Sequence, residues 1–223
     1  MHRDEQTSVE RYVLALEQNS EEFNLKLSPA ALQQLRDYYE LLLKWNERLH
    51  LVGPCSPEEF ATRHVLESLF LLRHLPPGAR IVDVGPGGGL PMIPCLIVRA
   101  DLRAILVESS HKKAVFLSEA LRAVGVSHRA TVVASRFEDI VIAPEGDYLT
   151  SRALDRFAET LPKLIEWARP HRTLLIYAGE ELRREVETLL PASRAELIPQ
   201  SERRFLIVCP TESRAIQGPG ERL

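Results

Sequence analysis

An apolar run, Ile81-Val82-Asp83-Val84, leads directly into Gly85-Pro86-Gly87-Gly88-Gly89-Leu90-Pro91. Glycines in a turn between a strand and a helix adopt backbone angles closed to other residues and let a ligand lie against the main chain. Gly85, Gly87 and Gly89 are therefore candidate cofactor-binding residues. A dinucleotide site would space its glycines G-x-G-x-x-G, so that a pyrophosphate rests on the N-terminus of the next helix. Here the spacing is G-x-G-x-G, and Leu90 stands where the last glycine would fall. The pattern favours a cofactor without a pyrophosphate, and Asp83 offers an anion near a cationic ligand. A turn that merely joins strand to helix is the competing reading.

Glu108 closes the next apolar run, 23 residues beyond Gly85. An acid at that distance, at the C-terminal edge of the second strand, is placed to accept hydrogen bonds from ribose hydroxyls. It also suits the N-terminus of the following helix for dipole reasons, and the two roles are compatible. After a third run, Ser135-Arg136-Phe137-Glu138 falls where the edge of an adenine would be read in this architecture, with loop filler as the alternative. Upstream, His64 and Ser68 share one helical face with Glu67 between them. They line a cleft or, the weightier reading, form a polar network between a helical cap and the sheet.

The elements that must position these residues follow from periodicity. The first third of the chain reads as helix. Ser28-Pro29 starts one, with Leu32, Leu35, Tyr39, Leu42, Leu43 and Leu49 at helical spacing. A second starts at Ser56-Pro57 and runs through Phe60, Val65, Leu69 and Leu72 to the break at Pro76-Pro77-Gly78. Six short apolar runs follow: 81–84, 104–107, 131–134, 148–150, 173–177 and 205–209. Helical stretches between the first five predict a parallel sheet covered on both faces. The clearest of these helices is capped by Ser109 or Ser110, buries Phe116, Leu117, Ala120, Leu121 and Val124, and stops at Gly125. The last run follows no convincing crossover and is expected to pair antiparallel. The expected domains are a helical extension (1–77), a cofactor-binding core (78–210) and a frayed tail (211–223).

Composition bounds the reading. The 223 residues, 45% hydrophobic and 26% charged, suit one globular domain with an extension. The longest apolar stretch, 81–98, is broken by Asp83, glycines and prolines and cannot span a membrane. The first residues lack a secretory pattern, so a cytoplasmic protein is expected. Cys55, Cys95 and Cys209 are too scattered for a disulfide framework or a structural zinc site, and no metal is expected. A net charge of −3 weighs against a uniformly basic nucleic-acid surface. Local basic faces remain at Arg63/His64, Lys112/Lys113, Arg152/Arg156 and residues 169–172.

Five runs, HVLESL from His64, VDVGPGGGLPMIP from Val82, LVESSHKKAVFL from Leu106, SRFED from Ser135 and TSRAL from Thr150, stand in an order and spacing that resemble successive motifs of the RsmG (GidB) family. That family comprises bacterial methyltransferases acting on a guanine of small-subunit ribosomal RNA. The resemblance covers roughly residues 45–180. It implies an α/β fold of the Rossmann-like class I methyltransferase type, a mostly parallel sheet with helices on both faces and an N-terminal helical extension. It implies S-adenosylmethionine as cofactor, methyl transfer to guanine N7 of 16S ribosomal RNA as reaction, and that RNA as partner of a monomer. Carried over residue by residue, Gly85 and Leu90 match the cofactor turn and Glu108 the ribose-binding acid. Phe137 and Glu138 match the adenine-side pair, and Arg152 the arginine of an S-R-A motif counted with the cofactor site. Lys112 and Lys113 match paired lysines whose charge suggests phosphate contact. His64, Ser68 and Arg156 complete the substrate-side candidates. No general base is expected, because N7 carries a lone pair and no proton.

The chain also departs from the family pattern. Met92 replaces a usual glycine, Glu67 a usual aspartate, and Ala178-Gly179 a usual Lys-Gly after the fifth strand. Three other readings share parts of the pattern: a nicotinamide dehydrogenase, a small-molecule methyltransferase, and a non-catalytic RNA-binding or assembly protein.

Overall fold

The computed structural model describes residues 2–152, 157–168 and 173–210. The chain opens with α1 (His2–Asn19) and α2 (Pro29–Leu49). At the start of α2, Pro29 occupies the first turn and the Ser28 hydroxyl accepts from the Ala31 N–H, which satisfies one of the donors a helix start leaves free. At its end His50 turns left-handed and its N–H returns to the Asn46 carbonyl. A continuous helical run follows, made of α3 (Pro57–Glu59), a π-helical stretch (Phe60–Leu66), α4 (Glu67–Leu69) and a 3-10 turn (Phe70–His74). Ser56 caps it through the Glu59 N–H.

The sheet then alternates with helices: β1 (Arg80–Val84), α5 (Met92–Val98), β2 (Arg103–Glu108), α6 (His111–Ala123), β3 (Ala130–Ala134), β4 (Tyr148–Arg152), α7 (Phe157–Trp167), β5 (Thr173–Gly179), α8 (Glu180–Leu189), β6 (Arg194–Leu197) and β7 (Arg204–Pro210). The strand order is β3-β2-β1-β4-β5-β7-β6, with β1 to β5 parallel. As expected, the last run is antiparallel: β7 pairs with β5, and β6 pairs with β7.

Side-chain alternation divides the core between two faces. Ile81, Ala104, Leu106, Leu175 and Tyr177 belong to a cluster with α1, α2, the 60–75 run, α5 and α6. Their neighbours Val82, Val84, Val107, Leu174 and Ile176 pack with Leu161, Leu164 and Ala168 of the α7 region and Val186 of α8. The first cluster runs without a break from the N-terminal helices into the sheet, so residues on both sides of position 77 share one apolar core. No helix among the described residues is long and apolar enough to cross a membrane. The tail 211–223 lies outside the described residues.

Candidate active site

Strand order reverses direction between β1 and β4, which opens a crevice outside the carboxyl ends of the strands. A cavity of about 590 Å³ lies there, lined by the ends of β1, β2 and β4, by Phe137 and Glu138 after β3, and by Leu51 to Gly53 and His64 from the helical run.

The glycine turn forms one wall. Gly85 (φ 71°), Gly87 (φ 54°) and Gly89 (φ 92°) adopt the left-handed conformation that excludes most side chains. The three do different things. Gly85 and Gly87 line the cavity, and a Cβ on Gly87 would meet no atom within 4 Å, so its backbone is bare to the space beside it. Gly89 does not line the cavity. A Cβ there would stand 2.4 Å from Ile93 Cδ1, so this glycine serves the packing of the turn onto α5 rather than contact with a ligand. Leu90 lines the cavity at the position where a dinucleotide turn would carry glycine.

Glu108 is buried beside the turn. One carboxylate oxygen accepts from the Gly87 N–H at 3.0 Å and the other from the Ser110 N–H at 2.8 Å. It ties the glycine turn to the start of α6, and each oxygen keeps a further lone-pair direction for a ligand hydroxyl. Phe137 packs edge-on against Trp167, with ring centroids 5.6 Å apart, and gives the far wall an apolar surface. Glu138 pairs with Arg136 at 3.1 Å. Burial raises the Glu138 carboxyl, but its own backbone N–H and Arg136 outweigh this and hold it below the ordinary carboxylate value.

Asp83 is where the structure corrects the reading. It is fully buried and does not line the cavity. Its oxygens make no well-formed hydrogen bond among the described residues. The nearby Met92 N–H favours the charged form without outweighing burial, which pushes the carboxyl well above its ordinary range. The expected anion beside a cationic ligand is instead a buried carboxyl behind the turn, where burial favours the uncharged form.

Arg152 clamps the helical run to the sheet. Its guanidinium donates to the His64 carbonyl (3.3 Å), the Ser68 hydroxyl (3.2 Å), the Arg63 carbonyl (2.6 Å) and Glu67 Oε2 (3.2 Å). It also lies over the Tyr177 ring. Glu67 is almost fully buried and bridges Arg152 to Arg204. Burial pushes its carboxyl up, and the two guanidinium groups offset only part of this. Ser68 is fully buried and donates its hydroxyl hydrogen to the His64 carbonyl, so this candidate for the substrate side faces the interior network instead. His64 does line the cavity. Burial, then Arg152 and Arg63, lower its imidazole to about 4, so it is neutral near pH 7.

Lys113 lines the cavity, whereas Lys112 is exposed outside it. Arg156 and the basic stretch 169–172 lie outside the described residues. Met92 is fully buried at the start of α5, and Ala178 is buried in β5, so neither departure from the family pattern opens onto the cavity. Sequence reasoning missed Leu51 to Gly53, Tyr38, Tyr177 and Arg204. Only Tyr38 left a signal, a polar-tipped side chain between Leu35 and Leu42 in an otherwise apolar stripe. Among the described residues no group of three or more His, Cys, Asp or Glu side chains is arranged to hold a metal ion.

A seven-stranded sheet with its antiparallel β7, and a glycine turn followed by an acid on the next strand, define a Rossmann-like class I methyltransferase. An O-methyltransferase from Bacillus cereus, solved in complex with SAH, shares this fold with a TM-score of 0.55 at 16% identity, covering 78% of this chain and 90% of that one. The chain belongs to the family described as rRNA small subunit methyltransferase G (GidB), whose model matches residues 31–214. Relatives named ribosomal RNA small subunit methyltransferase G include one from Chromobacterium violaceum, 37% identical over 65% of this chain and 68% of its own. Another, from Xanthomonas axonopodis pv. citri, is 38% identical over 73% of this chain and 76% of its own.

Proposed function

We propose that this chain transfers a methyl group from S-adenosylmethionine to N7 of one guanine in 16S ribosomal RNA, acting as a cytoplasmic monomer. The observation that carries the reading is the two-sided cavity. One side holds Gly85, the open backbone of Gly87, the Glu108 carboxylate and the Phe137 wall, and the other is the helical run with His64.

The first side fits the cofactor. Glu108 has lone pairs for ribose hydroxyls, Phe137, Leu90 and Glu138 would hold an adenine ring and its edge, and the bare Gly87 backbone admits close approach. Arg152, which also lines the cavity, pins the helical run that forms the opposite wall and would flank the cofactor from there. When bound, S-adenosylmethionine supplies an electrophilic sulfonium methyl group. Guanine N7 holds an in-plane lone pair and no proton, so nothing in the cavity has to remove one. A neutral His64 and an ionised Glu138 avoid opposing the positive charge that develops on the purine. The residues contribute by excluding water and holding the reactants in line, an effect that reaches roughly 7–11 kcal/mol in well-oriented systems. Lys112 and Lys113, in the first turn of α6, would meet RNA phosphates, and the target base must be unstacked to enter.

The test is to methylate small-subunit RNA lacking N7 modification and cleave the chain chemically at N7-methylated guanine. Cleavage at a single position is expected. Methyl incorporation without cleavage would place the acceptor atom elsewhere.

A further inference from the structure

The N-terminal helices reach the cofactor turn itself. Tyr38, on the buried face of α2 and fully enclosed, donates its phenolic hydrogen to the Gly88 carbonyl at 2.5 Å across 50 residues of sequence. Burial raises the phenol well above its ordinary range, so it remains a neutral donor. The other end of the same peptide unit is held too, because the Gly89 N–H donates to the Pro86 carbonyl at 2.8 Å. Leu42 and Leu51 lie 3.5–3.6 Å from where a Gly88 Cβ would sit, so the extension covers this side of the turn. Across from it, Glu108 holds the Gly87 N–H. The turn is thus fixed by the sheet on one side and by α2 on the other, and Gly87 is left bare.

We propose that Tyr38 is a positioning residue for the cofactor: its hydrogen bond orients the Gly88–Gly89 peptide, so that the helical extension builds part of the S-adenosylmethionine site. A glycine-rich turn has wide conformational freedom, and ordering it costs free energy at the moment of binding unless it is already ordered. A phenol at position 38 does this in advance. A phenylalanine there would keep the ring packing, leave a buried carbonyl without its donor, and free the turn to sample other shapes.

This inference rests on reading the cavity as the S-adenosylmethionine site, and its test separates the two. The dissociation constant for S-adenosylmethionine is measured by calorimetry on the full chain for the wild type, Tyr38→Phe and Leu16→Ala. Leu16 is buried in α1, does not line the cavity and controls for general loss of stability. Tyr38→Phe is expected to weaken binding roughly tenfold, about what one buried hydrogen bond contributes. Leu16→Ala is expected to lower the melting temperature at least as far with binding changed less than twofold. In the wild type, S-adenosylmethionine should slow amide exchange in 36–43 of α2 as well as in 85–92, a readout that needs no variant to fold. Equal affinity for Tyr38→Phe and wild type, or exchange unchanged in 36–43, overturns the role of Tyr38 alone. A wild type that does not bind S-adenosylmethionine overturns the cofactor reading and this inference with it.

Discussion

Glu108 accepts two backbone N–H groups and still faces the cavity, so a single side chain links the glycine turn, the start of α6 and the cavity. The flanking glycines divide their work in a way substitutions will separate. Gly87→Ala places a methyl group in open space at φ 54° and should cost about 1–2 kcal/mol of stability, the usual penalty for a left-handed alanine, while obstructing the cofactor. Gly89→Ala adds a 2.4 Å clash with Ile93 to the same backbone penalty and should cost more than about 3 kcal/mol. Denaturant melts paired with cofactor titrations check this, with Gly87→Ala expected to lose affinity out of proportion to stability. His64 gives a pH signature. Its folded value of about 4 lies below the roughly 6.5 of an unfolded histidine, so the unfolded chain binds more protons between these values. Stability from this residue is present above about pH 6.5 and lost as pH falls toward 4. Between pH 7 and pH 5 the wild type should lose about 1–2 kcal/mol more than His64→Gln in parallel denaturant melts. The glycine spacing and Glu108 were legible in the sequence because their chemistry is local. The burial of Asp83 behind the turn was not, since it depends on everything packed around it.

Among the elements, the 57–74 run matters most, because its π-helical stretch brings His64 to the cavity and Arg152 holds it there. The Glu67 N–H bonds back to the Thr62 carbonyl, and the Arg63 and His64 carbonyls accept from the Arg152 guanidinium. Only a planar fork with several donors reaches two carbonyls, a hydroxyl and a carboxylate together. Arg152→Lys should therefore destabilise the protein by about 1–3 kcal/mol and speed amide exchange in 60–66, whereas Arg204→Lys, whose side chain pairs with Glu67, should do less. Exchange in 60–66 that matches wild type in Arg152→Lys would remove the clamp from the account. Helix starts were readable here because Ser28-Pro29 and Ser56-Pro57 satisfy a helix N-terminus from within a few residues. The antiparallel β7 was readable from the missing crossover before it. β6, only four residues long and paired solely through β7, escaped notice because its sequence, Arg-Ala-Glu-Leu, carries no apolar run. The π-helical turn escaped too, and two of its carbonyls are held by Arg152 from 88 residues or more away.

For the whole molecule, the extension and the sheet act as one body around the cavity. They share an unbroken apolar cluster, and the extension contributes His64, the wall at 51–53 and the Tyr38 bond to the turn. The net charge of −3 is not that of a uniformly basic surface, and of the paired lysines Lys113 lines the cavity while Lys112 is exposed outside it. Motif order along the chain made the family legible, because four of the five motifs lie at the ends of successive strands, β1 to β4, and the first, from His64, lies on the helical run beside the cavity. The contacts across 50 to 137 residues that hold those strand ends to the extension were invisible without coordinates. The most direct test of the whole account is methyl transfer from labelled S-adenosylmethionine to small-subunit particles that lack N7 modification, comparing the wild type with Glu108→Ala. The account predicts stoichiometric transfer to one guanine by the wild type and a loss of roughly tenfold or more in kcat/KM for the variant, together with weaker cofactor binding. A wild type that binds S-adenosylmethionine yet leaves the RNA unmodified, or a variant as active as the wild type, would contradict it.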